Sequence, residues 1–506
     1  MNIEKEIIEK LIKEKAETQE DLERAKKDIS KKYGTSFPTN INLLKAYHKI
    51  RGKDERVLSL LRTRPVRSLS GVVNISILTK PFPCPGSCIY CPSEENIPKS
   101  YLDGEPAVMR ALLSKYHPAK QVKMRIDALK KTGHPTEKLE IRIIGGTWSF
   151  YPRKYKNWFI KKTFDACLSS RRKESKNVKD AQRRNEKAKH RIVCLSVETR
   201  PDFITKEEIK ELRRLGVTMV ELGVQSLFDD VMDFTKRGHK AKDTIKATKL
   251  LKDAGFKVCH QVMLNLPGST PKKDMETFKR IFEDPSFRPD FLKIYPCVVL
   301  KNTPLYSLWK KGGHKVLSDK KTAKMIGKIK KDYVPYYVRI QRVFRDIPKQ
   351  NIVAGCKISN LRELITEDCK CIRCREVKAN YNPKERILLF REDYTASDDK
   401  EIFLTMESSD RNRLYAILRL RNIEKEKIGM IRELHTYGMH TALKGKSEVS
   451  PQHKGLGKKL VKEAEKITKE ELEKNKISVI SGVGAREYWR SLGYRLEKTY
   501  MVKRLK

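Results

Sequence analysis

From about residue 71 onward, short apolar runs rich in β-branched residues alternate with longer amphipathic stretches of helical period. This alternation is typical of a parallel sheet whose strands are joined by crossover helices. The predicted strands are 72–78, 139–144, 192–197, 217–222, 258–264 and 291–295. Six such strands predict an α/β fold built on an open or partial βα barrel, in which the loops after the strands carry the chemistry.

The pattern differs on both sides of this region. Within the first seventy residues, apolar side chains recur at helical spacing, as at Ile3, Ile7 and Leu11, among many basic ones. Strands at 386–390, 402–406, 415–420 and 477–481, a helix at 456–474 and a short strand near Tyr500 predict a second α/β unit. We therefore expect a basic helical region over 1–70, a barrel over 71–350, a connector over 351–385 and a C-terminal domain over 386–506.

The charge balance adds a candidate partner. The 506 residues include 110 Lys and Arg against 64 Asp and Glu, which gives a net charge of +46. Such an excess favours a polyanion, and nucleic acid is the leading intracellular one. No apolar run is long enough to cross a membrane, and the first residues lack the apolar core of a signal peptide. We therefore expect a soluble, cytoplasmic protein with no membrane partner.

Segment 171–190 is the most basic stretch of the barrel region. It has nine Lys or Arg against three acidic residues and almost no large apolar side chain, so we do not expect it to pack as an ordinary core helix. A solvated charged surface and a mobile insert that contacts RNA both fit this composition. The basic N-terminal helices leave the same choice open between a solvated face and a nucleic-acid contact.

Three of the eleven cysteines form a compact pattern after the first predicted strand. Cys84, Cys88 and Cys91 are spaced as C-x3-C-x2-C, and in a cytosolic chain we expect ligands rather than disulfides. Three thiolates can ligate three irons of a [4Fe-4S] cluster and leave the fourth iron for S-adenosylmethionine, whose sulfonium the reduced cluster cleaves to a 5′-deoxyadenosyl radical. A zinc site would need a fourth ligand, and none stands near in sequence.

Further loops after predicted strands supply candidate contacts to S-adenosylmethionine. Gly145, Gly146 and Thr147 follow the second strand, where missing side chains let the backbone approach the methionine moiety. Glu198 ends the third strand, where a carboxylate could hold a ribose hydroxyl, and Gln225 follows the fourth. Each signal is weak alone because turns often carry such residues, but all of them fall on one face of the predicted barrel.

The C-terminal domain carries a candidate coenzyme A site. Gln452, Gly455 and Gly457 form a Q-x-x-G-x-G pattern at the start of a helix, where free amides and the helix dipole attract a pyrophosphate. Together with the following strand and the aromatic segment 488–494, this order resembles the GNAT-type acetyltransferases and implies acetyl-CoA as a cofactor. His435 lies on the preceding strand, where a role at the acyl group and a structural role are both open.

A radical-type cysteine loop and an acetyltransferase-type domain on one basic chain resemble the Elongator catalytic subunit family, which modifies the wobble uridine of tRNA. The resemblance covers nearly the whole chain. Its motifs lie at 64–67, 70–72, 80–81, 105–106, 109–111, 145–147, 198–202, 223–226, 360–364, 432–435, 481–484 and 500–503.

This resemblance implies a tRNA uridine(34) carboxymethyltransferase with a radical SAM barrel. The radical would take a hydrogen from the methyl group of acetyl-CoA, the acetyl radical would add to carbon 5 of the wobble uridine, and thioester hydrolysis would leave 5-carboxymethyluridine. Implied coenzyme contacts are Lys138, Glu433, Leu434, His435, Thr436, Leu456, Gly457, Lys458, Tyr488 and Trp489. Tyr488, His435 and Glu433 are the implied catalytic residues, and Trp489 replaces the second tyrosine of the family's pair.

A second cysteine group lies in the connector. Cys369, Cys371 and Cys374 are spaced as C-x-C-x2-C, which favours a structural zinc site with Cys356 as a candidate fourth ligand, and free thiols are the alternative.

The resemblance also implies partners. The tRNA anticodon stem-loop would reach the barrel with its target base flipped out, and the N-terminal region, segment 171–190 and lysines 115, 120 and 123 would hold phosphates. Accessory subunits or a homodimer are further expected partners. Two other functions stay open: a protein or histone lysine acetyltransferase with a structural cluster, and a non-catalytic tRNA-binding scaffold.

Overall fold

The computed structural model describes residues 3–50, 54–169, 173–358, 360–378, 381–382, 384–438 and 455–505. The N-terminal part consists of four helices, α1 (Ile3–Lys13), α2 (Gln19–Tyr33), α3 (Asn40–Tyr47) and α4 (Glu55–Leu61). Their apolar stripes meet in a small core of their own, which explains the helical spacing of the apolar residues. Arg62 joins this part to the barrel by donating a hydrogen bond from Nε to the carbonyl of Gly133 over 2.9 Å.

The central part alternates strands and helices. Its strands are β1 (Val72–Leu78), β2 (Lys138–Ile144), β3 (Arg191–Thr199), β4 (Met219–Gln225), β5 (Lys257–Leu264), β6 (Phe291–Pro296), β7 (Val299–Leu300), β8 (Arg339–Arg342) and β9 (Ile352–Ala354). Its helices are α5 (Pro106–Leu113), α6 (Pro118–Lys131), α7 (Arg153–Asp165), α8 (Val178–Asn185), α9 (Lys206–Arg214), α10 (Asp229–Phe234), α11 (Ala241–Asp253), α12 (Pro271–Glu283), α13 (Pro304–Lys310) and α14 (Asp319–Asp332). Within the described ranges, no helix is both long and apolar enough to span a bilayer.

Seven of these strands form one parallel sheet in the order β1-β2-β3-β4-β5-β6-β8. The order is linear, so the barrel is open between β1 and β8, and the expected partial βα barrel is confirmed. The sequence pattern missed the seventh strand because three of the four residues of β8, Arg339, Gln341 and Arg342, are polar.

The C-terminal part is built on a second seven-stranded sheet. Its strands are β10 (Ile387–Ala396), β11 (Asp399–Ser408), β12 (Leu414–Ile423), β13 (Ile428–Thr436), β14 (Lys476–Val479), β15 (Arg495–Glu497) and β16 (Tyr500–Arg504), in the order β10-β11-β12-β13-β14-β16-β15. Helices α16 (Leu456–Lys466) and α17 (Arg486–Arg490) belong to this part, and α15 (Ile372–Arg375) lies in the connector. The helix predicted to reach residue 474 ends at Lys466 and continues as a π-helical turn, Ile467–Glu471.

The C-terminal sheet packs against the N-terminal ends of the barrel strands. The loops that follow the strands lie at the other end of the barrel. Gly482 lies so close to β3 that a Cβ there would overlap the Val193 carbonyl, and Gly484 approaches the Cβ of Arg191. Arg432 of β13 forms a buried ion pair with Asp290, which directly precedes β6. The C-terminal domain therefore closes the N-terminal end of the barrel.

Segment 171–190 corrects a prediction from composition. Arg171 and Arg172 lie outside the described residues, but α8 is packed between α7 and the C-terminal domain, with Val178 and Ala181 in the main core. Its buried polar side chains are satisfied by the backbone: Gln182 donates to the carbonyl of Arg214, and Asn185 donates to that of His190. The prediction that this segment does not pack as a core helix was wrong. At some of its buried positions, side-chain amides that hydrogen-bond to the backbone stand where a core helix usually has apolar groups.

Candidate active site

One cavity of about 1480 Å³ occupies the barrel interior and reaches both of its ends. At the C-terminal ends of the strands it is lined by the Cys84, Cys88 and Cys91 loop, and at the N-terminal ends by Gly457 and Tyr488 of the C-terminal domain. A seven-residue parallel strand such as β2 is about 23 Å long, so this cavity connects two sites on opposite ends of the sheet.

The first cysteine loop lies at the C-terminal end of β1. Cys88 is buried and Cys84 and Cys91 are half-buried. Arg237 places its Nη1 at 3.7 Å from the Cys88 sulfur, so a positive charge lies directly beside this cysteine. Burial raises the pKa of Cys91 to about 11, so this thiol stays protonated until a metal cation replaces the proton.

The donor set fits a [4Fe-4S] cluster with one open iron. All three cysteines line the same cavity, yet their sulfurs do not form a group as tight as one zinc ion would need. Gly86 in this loop has no room for a side chain, because a Cβ would overlap Arg200. The buried Nη1 of Arg200 has no hydrogen-bond partner in the described residues, which fits a missing group beside the loop.

The loops after β2 to β4 surround the same end of the cavity. Gly145 and Gly146 have φ angles of 125° and 110°, and a Cβ on Gly146 would meet no atom within 4 Å. Glu198 accepts hydrogen bonds from Tyr101 over 2.8 Å and from Gln261 over 3.1 Å. Gln225 has a φ of 69°, and its buried Oε1 lacks a partner in the described part of the chain. Gly146, Thr147, Glu198 and Gln225 line a polar pocket beside the cysteine loop that fits S-adenosylmethionine, whereas Gly145 lies just behind it against Thr79.

Between the two ends, charged side chains line the barrel interior. Arg142 forms an ion pair with Glu140 of the same strand at 2.7 Å, and Lys293 of β6 forms one with Glu221 of β4. Burial alone would raise the pKa of Glu221, but the charges of Lys293 and Arg142 outweigh it and lower the pKa. The barrel interior is therefore a polar space in which basic side chains outnumber acidic ones, rather than a packed apolar core.

The second site lies where β13 and α16 meet. Gly455 has a φ of 76° and directly precedes α16, whose first residues Leu456, Gly457 and Lys458 line the cavity. A Cβ on Gly457 would lie 3.3 Å from the Tyr488 hydroxyl and 3.7 Å from the Thr436 methyl group. Leu434 also lines this corner. Gln452 lies outside the described residues.

The predicted catalytic residues lie around this corner of the cavity and differ in burial and in hydrogen bonding. His435 lies against Tyr437, with ring centroids 4.5 Å apart, and burial lowers its pKa to about 4. Glu433 accepts a hydrogen bond from the buried Arg419 over 2.7 Å. Tyr488 is partly exposed and burial raises its pKa, and Trp489 is buried beneath it against Tyr494.

Lys138 lies at the start of β2, where it faces the same end of the cavity. Burial and the nearby Arg191 lower its pKa. The structure thus brings the described coenzyme candidates to one end of the cavity and the S-adenosylmethionine candidates to the other.

Comparison with known proteins decides the family. Family models match the ELP3 N-terminal domain at residues 1–69, the radical SAM superfamily at 83–281 and the radical SAM C-terminal domain at 289–370. A protein of Methanocaldococcus infernus named tRNA uridine(34) acetyltransferase is 43% identical over 99% of this chain and 98% of its own length. Human Elongator complex protein 3 is 36% identical over 96% of this chain and 93% of its own. The chain belongs to the Elongator complex protein 3 family.

A solved structure of this Elongator family supports the fold. The Methanocaldococcus infernus Elp3 with an N-terminal deletion (1-46) superposes with a TM-score of 0.76 and 42% identity, covering 86% of this chain and all of that one. The resemblance inferred from the motifs and the partial radical SAM barrel are both confirmed.

This Elongator family member also has a second thiol group in the connector. The ligand atoms of Cys369, Cys371 and Cys374 lie within 4.8 Å of one another, close to the spacing of about 3.8 Å in a tetrahedral zinc thiolate site. Cys356 is not part of this group, and its thiol faces Asp319 instead. The candidate fourth ligand therefore lies apart from the other three thiols, because β9 leads the chain to the start of α14.

Sequence reasoning missed the charged interior of the barrel. A signal was present in β2, where Lys138, Glu140 and Arg142 alternate with apolar residues. Such alternation means that one face of a strand is polar, and in a barrel with helices outside, the polar face must be the interior.

Proposed function

We propose that this chain is a tRNA uridine(34) carboxymethyltransferase that uses S-adenosylmethionine and acetyl-CoA to form 5-carboxymethyluridine at the wobble position. The names of the Methanocaldococcus infernus and Methanocaldococcus jannaschii relatives, both tRNA uridine(34) acetyltransferase, support tRNA as substrate and an acyl donor. The observation that carries the proposal is the single cavity shared by the Cys84 loop and the Gly457 corner.

At the barrel end, Cys84, Cys88 and Cys91 would hold the cluster, while Gly145, Gly146, Thr147, Glu198 and Gln225 would bind and orient S-adenosylmethionine. When bound, these two groups supply hydrogen abstraction from an unactivated methyl group. The protein's part is to keep the Cys88 sulfur next to Arg237 and to fix Glu198 between Tyr101 and Gln261.

At the opposite end, the amides of Leu456, Gly457 and Lys458 would hold the coenzyme pyrophosphate, with the basic Lys138 nearby. Leu434, Thr436, Tyr488 and Trp489 would form the wall beside the coenzyme. His435 is neutral at neutral pH, since burial lowers its pKa to about 4, and a neutral imidazole could accept a proton from the water that hydrolyses the thioester. Arg419 would hold Glu433 in place beside it.

The connector thiols would bind a structural zinc ion. Cys369, Cys371 and Cys374 supply three ligands, and a water or a residue outside the group would supply the fourth. Elemental analysis should find about one zinc per chain, and a Cys371→Ser variant should lose it while a Cys356→Ser variant retains it. Equal zinc content in all three proteins would contradict this site.

Anaerobic reconstitution tests the function. Iron- and sulfide-replete protein is given tRNA, S-adenosylmethionine, acetyl-CoA and a reductant, and the digested tRNA is analysed by mass spectrometry. We expect 5-carboxymethyluridine and 5′-deoxyadenosine from the wild type and neither from Cys88→Ser. The matched control is Cys167→Ser, at a buried thiol away from the cavity. Acetyl-lysine on a protein without stimulation by tRNA would support the lysine acetyltransferase instead, and no turnover would support the scaffold.

A further inference from the structure

A second groove lies outside the cavity, beside the loop that follows β1. Its volume is about 510 Å³, and it is lined by Lys80, Lys115, Tyr116, Pro152, Lys154, Tyr155 and Trp158. Four of these seven residues come from the start of α7 or the turn before it, so one side of the groove is supported by a helix. No acidic side chain lines it.

Aromatic rings form one wall of the groove. The Tyr155 and Trp158 rings are 5.6 Å apart at an interplanar angle of 35°, and Trp158 is 37% exposed. The hydroxyl of Tyr155 accepts a hydrogen bond from the Lys80 backbone over 3.0 Å, which fixes its ring. Within the described residues, the indole of Trp158 has no such hydrogen bond. The His117 ring packs against it edge-on at 5.5 Å, and the exposed part of the indole is available for stacking.

The lysines of the groove are not committed to acidic partners. Lys80, Lys115 and Lys154 are exposed, and none of them forms an ion pair within the described residues. Lys80 holds its ammonium group 5.3 Å above the Tyr155 ring. Lys115 and Tyr116 both have positive φ angles, 50° and 55°, so the turn that carries them is held in a sparsely populated conformation.

The groove is one aromatic layer away from the S-adenosylmethionine pocket. Tyr151 stacks on Tyr155 with centroids 5.1 Å apart, and the hydroxyl of Tyr151 lies 3.2 Å from the carbonyl oxygen of Gly145. Phe82, two residues before Cys84, packs against Tyr151 with centroids 4.9 Å apart. A nucleotide strand that delivers one base to the cavity would therefore pass this groove with a neighbouring nucleotide.

We propose that the groove binds an unpaired nucleotide that flanks the modified base of the RNA substrate, with its base stacked on Trp158 and its phosphates near Lys115 and Lys154. This inference rests on the proposed function for the choice of RNA. Aromatic platforms framed by cations are how proteins hold single-stranded nucleic acid with little sequence preference. The groove would thus orient the RNA loop relative to the cavity, while the cavity would select the reacting base.

Binding of a fluorescently labelled anticodon stem-loop to the full chain tests this site. Trp158→Ala should weaken the affinity roughly tenfold, because stacking of one base is lost, and Trp158→Phe should restore most of it. Trp309→Ala is the matched control, since Trp309 lies on α13, outside the groove, and its ring packs on Tyr306. Lys115→Ala with Lys154→Ala should reduce the slope of log affinity against log salt by about two.

A series of stem-loops with a single abasic site at each loop position locates the stacked base. At one position, the abasic loop should bind the wild type as weakly as the intact loop binds Trp158→Ala, and combining the two changes should cause no further loss. Equal effects of Trp158→Ala on every abasic loop, or unchanged binding by Trp158→Ala, would overturn the proposal. Competition by polyglutamate would also overturn it, if polyglutamate displaced the labelled stem-loop as well as unlabelled stem-loop does and lost affinity equally in Trp158→Ala. That result would identify a site for an acidic peptide.

The two proposals fail in different ways. If the wild type forms 5-carboxymethyluridine and Trp158→Ala binds the stem-loop unchanged, the groove assignment is wrong and the function stands. If Trp158→Ala weakens binding at one loop position but no modified nucleoside forms, the groove assignment stands and the proposed function is wrong.

Discussion

At the residue scale, the surroundings of a side chain decide what it can do. The two cysteine groups show this: the thiols of the connector lie close enough for one ion, whereas those of the first loop are spread around a cavity wall. Glycines differ in the same way. Some provide open space for a ligand and others allow the backbone to pass close to a neighbour.

Gly145 and Gly146 allow these two roles to be separated. Both have positive φ angles, so an alanine at either position should cost about 1–3 kcal/mol of backbone strain. Only a Cβ at Gly145 would overlap the Thr79 hydroxyl, whereas a Cβ at Gly146 would point into the open cavity. We expect Gly145→Ala to lower Tm more than Gly146→Ala, and Gly146→Ala to weaken S-adenosylmethionine binding without that further loss. Thermal unfolding and equilibrium dialysis measure the two effects, and equal Tm values would contradict the assignment.

His260 should make the fold sensitive to acid. Burial lowers its pKa to about 3, with Lys252 lowering it further and Asp290 opposing, and its Nε2 lies 3.0 Å from the Thr248 hydroxyl. The folded-state pKa is below the unfolded value of about 6.5, so the stabilisation is present above pH 6.5 and is lost as the pH falls toward 3.

For this residue, the change from pH 7 to pH 5 should lower the free energy of unfolding by about 2 kcal/mol. His260→Asn should remove that part of the pH dependence, which urea unfolding at the two pH values measures. Lys252 and Asp290 stay charged over this range and are common to both proteins. Parallel pH profiles of wild type and variant would contradict the prediction.

At the element scale, apolar periodicity predicted the strands and failed where polar residues were buried. Strands such as β4 and β6 were recognisable because helices cover their outer faces and most of their residues are apolar. β8 and α8 were not, since Arg339, Gln341 and Gln182 are held by partners that are distant in sequence. Asn185 is held by the carbonyl of His190, just beyond the end of α8. A composition argument counts side chains, but only the fold supplies their partners.

Glu186, at the end of α8, should fasten the C-terminal domain to the barrel. Its carboxylate accepts from Arg486 over 2.9 Å and from Arg490 over 2.7 Å, and both Glu186 and Arg486 are buried. Glu186→Gln would leave Arg486 as an uncompensated buried charge, so we expect a loss of about 3–5 kcal/mol. Arg490→Gln is the control, because this partly exposed arginine should contribute no more than about 1 kcal/mol. Chemical unfolding measures both, and similar losses would show that the pair does not hold the domains together.

At the scale of the whole molecule, the arrangement of the two domains could not be read from the sequence. The sequence predicted a radical SAM barrel followed by a second α/β domain, and the structure has both in this chain order. That the second domain covers the N-terminal end of the barrel depends on close approaches such as Gly482 to Val193 and Gly255 to Met430, which join residues far apart in sequence. If the proposed function holds, an acyl group at the Gly457 corner would have to approach the cysteine loop through the barrel interior.

Narrowing the middle of the barrel should therefore separate binding from reaction. Cys194 lies midway along β3, lines the cavity and contacts the Thr218 hydroxyl at 3.4 Å. Cys194→Phe would fill part of the passage at a cost of about 1–3 kcal/mol, whereas Cys194→Ser keeps the volume and serves as the control. Both variants should bind S-adenosylmethionine and acetyl-CoA with near wild-type affinity, because each ligand would occupy its own end.

The yield of modified uridine should fall at least tenfold in Cys194→Phe and stay close to wild type in Cys194→Ser. Hydrogen abstraction requires the reacting groups to approach each other closely, and even small displacements of such groups reduce rates strongly. Mass spectrometry of the tRNA gives the yield, and dialysis of both small ligands shows that the variant is folded. A Cys194→Phe protein that binds both ligands and modifies tRNA at the wild-type rate would show that the acyl group does not pass through the barrel interior.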